Sequence, residues 1–284
     1  QEAYRNLYTS IRFIDTNQEI KTIVLTSSLP KEGKTLTNIL LAKTLSDLGL
    51  RVLLIDSDLR RPQIHYRLGL NNLIGFSNLL IDPTIELNKV IKKVEGFDKW
   101  NVITGGTLPP DPARLLGSQR CADILKQLKN SGEYEIILID SPPVLGLADS
   151  LLISEHADGV IILVGLDVVD RDLPKETINK INNIGSNLYG IVTNQSKKET
   201  SRFANEYGYS KYGGYESYSN PYQPLSTYQN YINLEVEKRD EKKVSNYVNN
   251  KEKDDSLFMI TKKINQSFVN VRSVYNKFSK WLDQ

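Results

Sequence analysis

Cysteine is all but missing from this chain of 284 residues, which holds only Cys121. No disulfide can form within it, and that usage fits a reducing compartment. Cys121 itself has two readings, a reactive thiol or a packed residue. Histidine is almost as scarce, and His65 and His156 are too isolated to begin a metal-ligand constellation. Neither sign of charge prevails: 36 Lys and Arg against 34 Asp and Glu leave +2, which offers no case for a nucleic-acid partner. No run of about 18 apolar residues occurs and no signal peptide opens the chain, so the piece reads as soluble. The only methionine is Met259 and the first residue is Gln1, the pattern of a fragment whose N-terminal portion is missing. The absence of a membrane span therefore concerns this piece alone.

What is present suits a packed domain. Hydrophobic residues make up 39% and charged residues 25%, enough to bury a core without covalent staples. Residues 1–17 read as a helix, with Tyr4, Leu7, Ile11 and Ile14 on one face. Short apolar runs follow at Thr22–Ser27, Arg51–Asp56, Val102–Thr104, Glu135–Asp140, Gly159–Val164 and Tyr189–Thr193. Helical stretches lie between them, chiefly 34–48, 118–130, 147–156 and 174–184. The second, fourth and fifth runs are nearly continuous in Val, Ile and Leu, as strands buried on both faces are. The alternation predicts an α/β fold with a doubly wound, mainly parallel sheet over residues 1–200.

The chemistry concentrates at the ends of three of these runs. Ser28-Leu-Pro30-Lys31-Glu32-Gly33-Lys34-Thr35 follows the first run and opens a helix at Lys34. This is the P-loop form with Ser28 in place of the first glycine. Strand, loop and helix in that order present backbone N–H groups and a positive helix end to phosphate oxygens, from Ser28 through Leu36. Lys34 is placed to reach the β- and γ-phosphates of ATP, and the Thr35 hydroxyl to coordinate Mg²⁺. Asp140 ends a second buried run, at the sheet edge where open α/β proteins bind ligands, and can hold the metal directly or through water. Asp56 and Asp58 end a third, two residues apart and so on one face if the strand continues. Two acids near a metal suit one coordinating and one accepting a hydroxyl proton; the spacing does not say which does which.

The character changes after about residue 197. Residues 201–232 form a tail carrying Tyr207, Tyr209, Tyr212, Tyr215, Tyr218, Tyr222, Tyr228 and Tyr231 among Gly, Ser, Asn and Pro, with no helical or strand period. Residues 233–256 read as a charged linker. In 257–284, Phe258, Ile264, Phe268, Val271, Tyr275, Phe278 and Leu282 recur at helical steps. This amphipathic helix suits packing on a protein surface or lying on an anionic membrane.

Taken together, these residues resemble the bacterial tyrosine kinases (BY-kinases), the cytoplasmic kinase domains of capsular and exopolysaccharide co-polymerases. The resemblance covers residues 2–231. It is carried by Glu2-Ala-Tyr-Arg5, the P-loop, Asp56-Ser-Asp58-Leu-Arg60-Arg-Pro62, Leu108-Pro-Pro-Asp-Pro112, Asp140-Ser-Pro-Pro143 and the tyrosine cluster. It implies ATP as donor, Lys34, Asp56 and Asp58 as catalytic residues, and Thr35, Asp58 and Asp140 around Mg²⁺. Asn194 falls at the family position near the adenine; by itself it reads equally as a strand-terminal turn residue. The resemblance further implies phosphorylation of the eight tail tyrosines between subunits of a homo-oligomer, a ring joined through Glu2 and Arg5. It also implies a membrane-embedded activator at the cytoplasmic face of the plasma membrane, fused or separate, and an opposing tyrosine phosphatase. Lys31 stands where the kinases usually carry glycine, Tyr8 where the oligomerisation motif has a second arginine, and Arg114 where a glutamate is usual. The other enzyme reading is a partitioning-type P-loop ATPase that switches without kinase activity.

Overall fold

The computed structural model describes residues 2–14, 19–166 and 168–194. In chain order the elements are α1 (Glu2–Arg12), β1 (Thr22–Ser27), α2 (Lys34–Asp47), β2 (Val52–Asp56), α3 (Ile64–Leu68), α4 (Phe76–Ile81), α5 (Leu87–Val90) and β3 (Ile91–Lys93). They continue with β4 (Trp100–Ile103), α6 (Pro112–Leu116), α7 (Gln119–Asn130), β5 (Ile136–Asp140), α8 (Asp149–Ser154), β6 (Gly159–Gly165), α9 (Asp172–Asn183) and β7 (Leu188–Asn194). The tyrosine-rich tail, the charged linker and the C-terminal amphipathic pattern lie outside the described residues.

Every residue of β1, β2, β5 and β6 is buried, as uninterrupted Val, Ile and Leu require. The strands form one sheet in the order β3-β4-β2-β5-β1-β6-β7. Neighbouring pairs are parallel except β3 against β4. This is the doubly wound sheet expected from the alternation. Helix α2 brings Leu41, Ala42 and Leu45 onto Ile23, Leu25, Leu54 and Leu138. On α1, Ile11 is buried and Tyr4, Leu7 and Tyr8 pack on the same core, with Ile14 joining it from the turn beyond. The expected apolar face is used, but the helix ends at Arg12 rather than running on toward residue 17.

The differences from the sequence reading are local. The fourth strand starts two residues earlier, at Trp100, and α8 is shorter than 147–156. Helices α3, α4, α5 and α6 have four to six residues, too few for a 3.6-residue period to show. Contacts rather than periodicity hold two of them. Asp56 Oδ2 accepts from the N–H groups of Gln63 and Ile64 at the start of α3, and Asp111 accepts from Arg114 N ahead of Pro112 in α6. The three-residue β3 runs antiparallel on the sheet edge.

The entry into β1 is fixed by one carboxylate. Asp158 Oδ2 accepts from Lys21 N at 2.9 Å and Thr22 N at 2.8 Å, while Oδ1 meets the Lys129 ammonium. Asp158→Ala strands both N–H groups and is expected to cost about 2–3 kcal/mol. Urea denaturation followed by circular dichroism would measure it.

Candidate nucleotide and metal site

Parallel pairing brings the loops after β1, β2 and β5 to the same edge. Strand β5 lies between β1 and β2, with Asp140 opposite Leu25 on one side and Asp56 on the other. The P-loop leaves β1 just beyond Leu25, so phosphate cradle and carboxylates converge by register.

The loop is pinned from inside by Glu32, which is 1% exposed. Its Oε1 accepts from Leu29 N at 2.7 Å and its Oε2 from Gly165 N, at the end of β6, at 2.8 Å. Burial raises the Glu32 carboxyl above its usual range, and those two N–H groups oppose the rise. Asn194 Nδ2 donates to the Glu32 carbonyl at 3.0 Å and lies where a Cβ on Gly33 would be 2.6 Å away. Gly33 has φ +99°, so the position excludes a side chain on both counts. Lys31 has φ +72°, a left-handed conformation that L side chains resist. Ser28 is buried and shares a 2.8 Å hydroxyl–hydroxyl hydrogen bond with Thr177 of α9. Leu36 is partly exposed on α2. The first turn of α2 carries no acid, which leaves its positive end to an external anion.

Four ionisable groups gather beside this cradle. Lys34 is buried; desolvation lowers its pKa, opposed by Asp140, Asp58 and Glu32. Burial pushes Asp140 up to about 6, against the opposing pull of the Thr35 hydroxyl, the Lys34 ammonium and the Asn38 carboxamide. Asp56 is raised well above the usual range by burial, then by Asp140 and Asp58. Burial also raises Asp58, with Lys34 opposing. Strand β2 stops at Asp56, so the two acids do not share a strand face. Asp56 is wholly buried with Oδ2 spent on α3, and its Oδ1 is buried with no hydrogen-bond partner. Asp58 lies beyond the strand and accepts from Arg61 N at 3.0 Å. Their environments, not their spacing, separate their roles.

Among the described residues, no group of three or more His, Cys, Asp or Glu could hold a metal ion by itself. Mg²⁺ takes one or two carboxylates and completes its shell with phosphates and water, a donor set that Asp58, Asp140 and the Thr35 hydroxyl would fit. The orphaned Asp56 Oδ1 leaves the site with one buried acceptor unused.

Two features escaped the motif reading. Asn38, one turn beyond Lys34, donates to Asp140 Oδ1 at 2.9 Å; the four-residue step from the P-loop lysine was a legible signal. Asp149, 0% exposed at the start of α8, holds Arg60 through two hydrogen bonds of 2.8 and 3.0 Å. Their separation of 89 residues left no sequence trace. Glu2 and Arg5 lie 4.0 Å apart within α1, and both are exposed. Tyr8 packs inward, where burial raises its phenol, and Arg114 is exposed. Cys121 is buried and its thiol is pushed up to about 12 by burial, which favours the packed reading over a reactive one. The eight tail tyrosines lie outside the described residues. No described helix is long and apolar enough to cross a membrane.

Two substitutions test this electrostatic and backbone description. Lys31→Gly relieves the positive φ at the cost of some chain entropy and is expected to stabilise the protein by about 1 kcal/mol, read as a higher urea midpoint. Asp140 has a folded pKa of about 6 against 3.8 for a free carboxyl. The folded state then binds more protons between those values, so this group makes stability fall as pH rises. Without nucleotide, Asp140→Asn is expected to match wild type in Tm below about pH 4. The variant should become progressively the more stable as pH rises from about 4, with the full difference reached above about 6; equal melting curves at pH 7.5 would refute the assignment.

Comparison with known proteins places this geometry. The AAA domain family profile matches residues 20–189. The tyrosine-protein kinase YwqD of Bacillus subtilis is 30% identical over 208 residues, 73% of this chain and 85% of the relative. The tyrosine-protein kinase wzc of Salmonella typhimurium is 32% identical over 216 residues, 76% of this chain but 28% of that longer protein. The solved kinase domain of the Escherichia coli tyrosine kinase ETK superposes with a TM-score of 0.65 at 26% identity, covering 78% of this chain and 80% of its own. With its P-loop, its paired aspartates and its sheet order, this chain belongs to the bacterial tyrosine kinase family of P-loop NTPases.

Proposed function

We propose that this chain is an ATP-dependent protein-tyrosine kinase that phosphorylates its own tail at Tyr207, Tyr209, Tyr212, Tyr215, Tyr218, Tyr222, Tyr228 and Tyr231. The observation that carries the proposal is Asp56 Oδ1. It is a buried, unpartnered carboxylate oxygen beside Asp140 and the Lys34 loop, where a switch ATPase has no evident use for a second base.

ATP binds with its phosphates on the loop from Ser28 to Leu36 and the β- and γ-oxygens on Lys34. Thr35, Asp58 and Asp140 would hold Mg²⁺, which would supply positive charge to offset that of the transferring group. Asn194, tied to Glu32 and abutting Gly33, borders the nucleoside end of the cradle. A tyrosine hydroxyl is positioned against the γ-phosphorus. Asp56 takes its proton as the bond from oxygen to phosphorus forms and the bond to the bridging oxygen breaks, releasing ADP. A carboxyl raised by burial is a better proton acceptor than an ordinary aspartate.

The acceptor segment suits delivery between copies of the chain, with Glu2 and Arg5 exposed on α1 for a neighbouring subunit. Each phosphate adds about −1.5 to −2 charge, enough in number to drive the segment out of a site and loosen a ring. The resemblance to co-polymerase kinases supports a role in regulating capsule or exopolysaccharide synthesis and export. There the chain works at the cytoplasmic face of the plasma membrane beside a membrane-embedded activator and a tyrosine phosphatase. The chain spans 28% of wzc but 85% of YwqD, so relatives of both a longer and a similar length accommodate the activator, fused or separate.

Incubation with MgATP followed by phosphotyrosine mass spectrometry tests the proposal. Wild type is expected to carry phosphate within residues 207–231 and Lys34→Ala none. Asp56→Asn should transfer about 100- to 10,000-fold more slowly while still binding MgATP. Phosphate released to solvent with no phosphotyrosine would favour the partitioning-type switch instead.

A further inference from the structure

Asn38 is a polar side chain where the packing calls for an apolar one. It is wholly buried on α2, followed by Ile39, Leu41, Ala42 and Leu45, which are also buried. Leucine has the same branched arrangement of side-chain heavy atoms without polar groups, and an amide buried with its carbonyl oxygen unpartnered costs stability. Asn38 is such an amide. Nδ2 donates to Asp140 Oδ1 at 2.9 Å, while Oδ1 is buried and has no partner. Stability therefore does not account for the carboxamide.

Its target supplies the reason. The carboxylate of Asp140 turns about a soft, broad torsion among competing neighbours. Asp56 faces it across the β2–β5 pairing, and Lys34 and the Thr35 hydroxyl act on it from the P-loop side. Lys34 and Thr35 are needed by phosphate and metal, so neither can be devoted to aiming Asp140. Asn38 rides on the same helix one turn further in and is spent on nothing else.

We propose that Asn38 is a positioning residue that holds the Asp140 carboxylate in the orientation required for Mg²⁺ beside the phosphate loop. It acts on the metal through Asp140 and makes no contact with the nucleotide. The proposal rests on the MgATP reading of this site but not on tyrosine as the acceptor.

The experiment compares the full chain with Asn38→Leu and Asn38→Ala, binding a fluorescent ATP analogue first in EDTA and then across a Mg²⁺ titration. The two variants have opposite steric effects, one filling the space and the other emptying it. In EDTA both should bind within about twofold of wild type, because the loop and Lys34 are untouched. The Mg²⁺ concentration for half-saturation should rise about tenfold or more in both, the usual effect of removing a group that orients a metal ligand. With Mn²⁺ in place of Mg²⁺, the electron paramagnetic resonance spectrum of the bound ion should change in both variants alike. Mg²⁺ half-saturation within twofold of wild type in whichever variant folds would overturn the proposal, as would loss of stability in Ala alone with unchanged metal dependence. Wild type that binds the analogue without any response to Mg²⁺ would instead remove the MgATP reading itself.

Discussion

The pairing of β2 with β5 sets Asp56 directly opposite Asp140, and most of the site can be read as a response to that placement. Adjacent strands lie about 4.8 Å apart, so two carboxylates at matched register at the end of a buried sheet repel across a medium that screens poorly. Each is met by its own donors. Asp56 receives the two N–H groups at the head of α3, and Asp140 receives Asn38 with Lys34 close by. Even so, burial keeps both above the ordinary carboxylate range, and the charge of Asp140 adds to the rise at Asp56. A site left short of positive charge in this way is one that a divalent cation would complete. The same shortage explains why α3 exists: a five-residue helix has little stability of its own, and here the acid of the preceding strand ends caps its N-terminus.

The phosphate loop is held by a different device. Glu32 turns its carboxylate inward onto Leu29 and Gly165, while Asn194 draws its carbonyl toward the end of β7. The loop is thus tied to its own start and to the ends of two further strands. A backbone so over-determined can keep one residue in an unfavourable conformation, which is how Lys31 is tolerated at φ +72°. Preorganised N–H groups need no rearrangement when phosphate arrives, and that benefit is what the strain at Lys31 accompanies.

Much of the site was legible because its chemistry is local. Strand, loop and lysine follow one another within a dozen residues, and an aspartate closing a run of Ile and Leu announces itself at Asp56 and Asp140. The sheet class was legible too, since uninterrupted apolar runs have to be buried on both faces. The short helices were not, being fixed by individual caps rather than by a repeating pattern. Nor was the division between Asp56 and Asp58, because the two-residue spacing assumed a strand continuing to Asp58, whereas β2 ends at Asp56.

From its sequence alone, then, this protein has its parallel sheet, its phosphate loop, the three aspartates and a tyrosine-rich segment beyond them, all features written in contiguous residues or a simple period. Only the tertiary structure decided which acids face each other, which oxygen of Asp56 stays unpaired, and that Asn38 meets Asp140 and Asp149 meets Arg60. The two side-chain contacts join residues 102 and 89 positions apart, and no local pattern encodes the register and helix phase that bring such residues together.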